Sequence, residues 1–178
     1  MRSIQLRDQH RRTSVGQANV HLELTPGFGA YLEDAERKAR QAGFQEGMPV
    51  LDLTGRSPTA LYAMRASLMG SAWIQGGYPG SSRHVVALLG RLTCDELARA
   101  WLLNQPVNTT SIDPAVLASF GANLETDYEA VATIVMDERF FGYPEHWVQY
   151  LLKPRRSPVA AEAACVAARG ASALQATP

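Results

Sequence analysis

A chain of 178 residues can build one domain with a proper core, and 46% hydrophobic with 19% charged residues is ordinary for a globular protein. The seventeen Lys and Arg balance seventeen Asp and Glu, so the basic surface that general nucleic-acid binding needs is missing, as is simple electrostatic docking on anionic lipid. There is no run of about 18 apolar residues to cross a membrane and no apolar signal segment in residues 1–14, so on these grounds alone the chain reads as cytoplasmic unless a targeting part lies upstream.

Residues 1–18 carry Arg2, Arg7, Arg11 and Arg12 with little periodic apolar content, and read as a flexible arm or linker. Residues 19–25, NVHLELT, alternate apolar and polar, which predicts a half-buried strand at a sheet edge. Residues 26–29, PGFG, are expected to break it. Residues 31–42 then form a helix, with Leu32, Ala35 and Ala39 on one face and acids leading bases along its length. Gly43 stops that helix.

Residues 49–66, PVLDLTGRSPTALYAMRA, are the organising stretch. A nearly all-apolar strand meets a tight turn at Gly55-Arg56-Ser57-Pro58, and a helix follows. In open α/β sheets, ligands gather where strands end at their carboxyl side. Asp52, Thr54, Arg56 and Ser57 are therefore the first candidates for a site. The glycine-rich residues 67–80 read as a loop, with Ser81 or Ser82 capping the next helix. A glycine loop ahead of a helix N-terminus can hold an anion on its N–H groups. Gly76, Gly77, Ser81 and Ser82 join the candidate ligand-binding set for that reason, although GGYPGSS is neither a P-loop nor a dinucleotide fingerprint.

Thr93 caps a short turn at residues 94–97. Residues 98–104 are the next strand, ended by Gln105-Pro106. Asp113-Pro114 opens a helix to Phe120, and Gly121 closes it. Residues 128–136, YEAVATIVM, and 147–152, WVQYLL, read as strands of an antiparallel hairpin around a Gly142-Tyr143-Pro144 turn. The fold proper is expected at residues 19–156. Residues 157–178 are Ala-rich with a thin apolar face and read as a mobile tail. Two cysteines make no framework; one disulfide between Cys94 and Cys165 is open, with Cys94 otherwise a small buried residue. The fold class is α/β: one domain, a mixed, mostly parallel sheet of about five strands flanked by helices.

The sharpest chemical idea starts at Asp52. Asp52-Leu53-Thr54-Gly55 resembles the nucleophile motif of haloacid-dehalogenase-like phosphatases and P-type ATPases, in which a strand-end Asp forms an aspartyl phosphate. Residues 135–138 could imitate the acidic magnesium motif. Against this, the second Asp of the phosphatases is Thr54 here, and the Lys of the ATPases is Leu53. No lysine lies between Lys38 and Lys153 to balance charge, and Arg is a poor replacement for a compact ammonium. Asp52 then hydrogen-bonds its own turn, as Asp residues do. No residue is assigned a catalytic role, with Asp52 the one candidate. His10, His21, His84 and His146 are scattered and form no metal spacing, so neither metal nor cofactor is expected. Trp73, Trp101 and Trp147 read as core or interface aromatics rather than a stacking platform.

Taken together, LTPGFGAYLEDAERKARQAGF, GMPVLDLTGRSPTALYAM, SAWIQGGYPGS, YEAVATIVM and WVQYLLKPR resemble the soluble C-terminal domain of large bacterial multi-spanning membrane proteins of the lipid-linked-sugar glycosyltransferase type. That resemblance implies a non-catalytic accessory domain in the periplasm, on the extracytoplasmic face of the inner membrane. Its partner would be an upstream transmembrane region of the same polypeptide or another membrane protein, with a sugar or lipid-linked sugar nearby and no nucleic acid. The alternatives are a stand-alone phosphoryl-transfer enzyme using Asp52 and a small-ligand-binding module using the glycine loop.

Overall fold

The computed structural model describes residues 6–16, 20–72, 74–106, 108–137 and 147–175. Trp73, the Gly142-Tyr143-Pro144 turn, His146 and the acid at 138 lie outside them. The first strands, β1 (Arg11–Ser14) and β2 (His21–Leu24), pair antiparallel as a separate two-stranded sheet. The expected arm therefore contributes a strand. Its anchors are Thr13 and Val15, both essentially without solvent exposure; RRTS hides this because only one of its four residues points inward. His21 is exposed, as expected of the polar face.

Helix α1 (Pro26–Gln41) begins at the proline that was expected to interrupt the chain. Thr25 accepts a hydrogen bond from Phe28 N at 3.4 Å, and proline fits the first helical position, where no N–H is needed. Tyr31, Leu32, Ala35 and Ala39 are its buried face.

The main sheet has the order β4-β3-β5-β7-β6, from β3 (Pro49–Asp52), β4 (Ser67–Leu68), β5 (Trp101–Asn104), β6 (Tyr128–Met136) and β7 (Trp147–Pro154). Strand β3 runs parallel to β4 and β5, while β7 is antiparallel to β5 and β6. The mixed five-stranded α/β sheet and its closing antiparallel pair are as the sequence predicts. The short β4 falls in the stretch expected to be all loop.

Strand periodicity divides the core between the two faces. Val50, Trp101, Leu103 and Leu151 pack towards α1 and α2 (Pro58–Ala63). Leu51, Leu102 and Leu152 pack towards α3 (Ser81–Leu89), α4 (Cys94–Ala98) and a 3-10 helix at Pro114–Phe120. Helix α4 starts with a reciprocal capping box between Thr93 and Glu96. A single turn, α5 (Leu124–Asp127), leads into β6.

The chain does not end its fold at residue 156. Residues expected to be a mobile tail form α6 (Pro158–Gln175), against α4 and the 3-10 helix. Ser157 Oγ accepts from Ala160 N at 3.3 Å, and Cys165 is bonded to Cys94. The two cysteines are 71 residues apart in sequence, so local pattern carries no sign of their meeting.

Candidate functional site

The candidate site lies at the carboxyl end of β3, where Asp52 leaves the sheet. Asp52 is 7% exposed. Its Oδ1 accepts from Thr54 N at 2.8 Å and from Thr54 Oγ1 at 2.6 Å, and its Oδ2 accepts from Ser57 N at 3.1 Å. Thr54 Oγ1 in turn accepts from Arg56 N at 3.1 Å. These bonds curl residues 52–57 into the turn that launches α2. Burial raises the Asp52 carboxyl above the usual carboxylate range, and the bonds from Thr54 and Ser57 pull it back only in part.

A second layer of polar groups lies behind the turn. Gln149 on β7 has no solvent exposure. Its Nε2 donates to Ser57 Oγ at 2.7 Å and to Gln105 Oε1 at 3.0 Å. Its Oε1 accepts from the Tyr31 hydroxyl at 2.6 Å. Burial pushes the Tyr31 phenol well above its ordinary value, so it stays a neutral donor. The Arg56 guanidinium carbon sits 5.2 Å from the Trp147 ring centroid, a cation–π distance. One polar network thus joins α1, the 52–57 turn, the end of β5 and β7.

Gln149→Leu tests this joint. The apolar side chain leaves Gln105 Oε1 and Ser57 Oγ buried without the amide that donates to both, while the Tyr31 hydroxyl keeps Ser57 within reach. Each such group costs roughly 1–3 kcal/mol when orphaned, so an overall loss of about 2 kcal/mol is expected. It should appear as a lower urea midpoint with an unchanged m-value.

The glycine loop does come to the same end of the sheet, where Gln75 backs onto Gly55 and residues 108–112 bond to both loop and turn. Asn108 Nδ2 and Thr110 Oγ1 donate to Thr54 O at 2.9 and 3.1 Å. Ile112 N donates to Leu53 O at 2.9 Å, and Gly76 N donates to Thr110 O at 2.8 Å. The Gly76 N–H is therefore already committed. A Cβ on Gly76 or Gly77 would lie 1.8 Å from Ser111 O or 2.2 Å from Thr109 O. Close backbone packing accounts for both glycines without an anion.

Ser81 and Ser82 open α3 after Gly80, which caps it in a left-handed conformation without a side-chain bond. Ser82 lines a cavity of about 290 Å³ with Arg83, Val86, Asp113, Ala115 and Val116. None of residues 54–57 lines that cavity. The candidate ligand set thus divides between a buried turn, holding Thr54, Arg56 and Ser57, and a surface hollow at Ser82.

The phosphoryl-transfer arrangement fares poorly in this geometry. The residue standing where a second acid belongs, Thr54, donates its hydroxyl into the proposed nucleophile. Asp137 follows β6, three strands along the sheet from β3. Three spacings are roughly 14 Å, too far for two carboxylates to share one magnesium ion. Among the described residues, no three His, Cys, Asp or Glu side chains come together as a metal site. Sequence reasoning missed Gln105 and Gln149; the partners of Gln149 are Gln105, Ser57 and Tyr31, up to 118 residues away.

Among the described residues no helix is long and apolar enough to cross a membrane. No family model matches the chain, and neither a curated protein nor a solved structure does.

Proposed function

We propose that this chain is a non-catalytic extracytoplasmic module of a membrane-embedded, glycosyltransferase-like protein, in which the 52–57 turn is framework and chemistry belongs to another segment or subunit. The Cys94–Cys165 disulfide is the observation that carries the location. Such crosslinks persist in oxidising compartments and are rare where thioredoxin and glutathione keep thiols reduced. The engaged oxygens of Asp52 favour a framework role for the turn. The sequence resemblance supplies the kind of host protein. A membrane-spanning partner and a sugar or lipid-linked sugar remain its expected neighbours.

Protease added to intact spheroplasts of the native host tests the reading, combined with acid-quenched thiol trapping. Digestion without lysis and two blocked cysteines are expected. Full protection until lysis, or two freely alkylated thiols, would contradict it.

A further inference from the structure

Helix α6 (Pro158–Gln175) meets the body with its smallest side chains. Among its described side chains, Ala161, Ala164, Cys165, Ala168 and Arg169 are partly or fully covered, and of these Cys165 is buried. Two larger apolar residues of its described part point away, Val159 79% and Val166 60% exposed. Because hydrophobic gain scales with the apolar area removed from water, an alanine face gives this helix little reason of its own to stay docked.

Specific attachments supplement that face. Cys165 is joined to Cys94, the first residue of α4. Arg169 Nη2 donates to Leu89 O and Leu92 O at 3.0 and 2.8 Å, on carbonyls at and just past the end of α3. Arg156 Nη2 holds Gly121 O and Asp127 Oδ2 at 2.8 and 2.7 Å, just ahead of the helix. Under this roof lies a small recess of about 10 Å³ lined by Leu97, Phe120, Tyr128 and the paired Asp127 and Arg156, with Ala161 of α6 beside them.

We propose that α6 is a redox-fastened strap: the Cys94–Cys165 disulfide locks it over the recess, and a dithiol releases it while the sheet stays folded. Cys94 is the partly exposed partner. One thiolate of the dithiol attacks its sulfur and expels the Cys165 sulfur, which takes up a proton. The second thiol closes on the mixed disulfide and frees Cys94. The dithiol ends as a disulfide, having supplied two electrons and two protons. Residues 155–157 keep the freed helix tethered, so reoxidation returns it to the same place. The sheet survives because none of its strands belongs to α6. This device stands on its own geometry and holds in whichever compartment the chain resides.

Native-state amide exchange on the full chain tests it, with and without dithiothreitol. In the oxidised chain, α6 amides should be protected. On reduction they should fall to within about tenfold of an unstructured chain, while β3 and β5 amides stay at least about a thousandfold slower than that limit. Cys94→Ala should reproduce the reduced pattern without reductant. Arg169→Ala in the oxidised chain should leave α6 protected. The proposal is overturned if α6 opens only together with β3 and β5, if reduction abolishes protection everywhere, or if Arg169→Ala alone releases the helix.

Discussion

Gly55→Ala should lower the unfolding free energy by about 4 kcal/mol, a large effect for a single methyl group. Two causes add. Gly55 sits at φ +71°, where an L-residue costs roughly 1–2 kcal/mol. An added Cβ would also stand 2.0 Å from Thr110 O and 3.4 Å from Gln75 Cα. Both neighbours are backbone, so no side chain can swing aside, and overpacking of this kind costs roughly 1–3 kcal/mol. Gly43 separates the causes. It has φ +86° with nothing within 4 Å of an added Cβ, so Gly43→Ala should cost only the strain, about 1 kcal/mol. Denaturant midpoints of the two variants, taken side by side, measure the contact at Gly55 by difference. Equal losses would remove residues 108–112 from their place against the turn.

Asp52→Ala should cost about 3 kcal/mol. The substitution orphans Thr54 N and Ser57 N, which Asp52 holds at 2.8 and 3.1 Å. Thr54 and Ser57 are 0% and 4% exposed, so water cannot replace the lost acceptor at either. Each orphaned buried donor costs roughly 1–3 kcal/mol, and removing a carboxylate that was itself expensive to bury offsets part of the sum. A nucleophile held only for chemistry would leave stability nearly unchanged when truncated, so thermal melting of this variant distinguishes framework from catalyst.

The same two positions show what could be read from the chain alone. The strand–turn–helix at residues 49–66 was legible because its signals are local: an apolar run, Gly-Arg-Ser-Pro, then helical spacing. So were the Thr93 cap, the Asp113-Pro114 start and the Gly121 stop, each a rule spanning a few residues. Assigning Asp52 to its own turn rested on the same short range, since its bonds reach only to residue 57. Sequence pattern places the start of α1 too late, because Pro26-Gly27 looks like a break unless Thr25 is recognised as the cap.

Long-range contacts could not be read. Gln149 looked like one polar position in WVQYLL, yet it is the joint between Ser57, Gln105 and Tyr31. Residues 108–112 bond to both the turn and the glycine loop, and nothing in GGYPGSS announces that its Gly76 N–H is spent on Thr110. Helix α6 reads as a tail because its alanines offer little to a core. Its attachment is a disulfide whose other half lies 71 residues earlier.

The pH dependence of Asp52→Asn against the native chain tests the framework role of the buried carboxylate most directly. Burial raises the carboxyl in the folded state above its ordinary value of 3.8. Between 3.8 and the folded value, the folded chain holds more protons than the unfolded one, so the stability this group contributes is fully present below pH 3.8 and is lost as pH rises through the folded value. The amide has no such titration. Melting temperatures should therefore shift in favour of Asp52→Asn as pH is raised from about 4 to 7, whatever the fixed cost of mispairing Ser57 N. A difference that stays flat over that range, or that moves in favour of the native chain, would contradict a carboxylate buried in the turn.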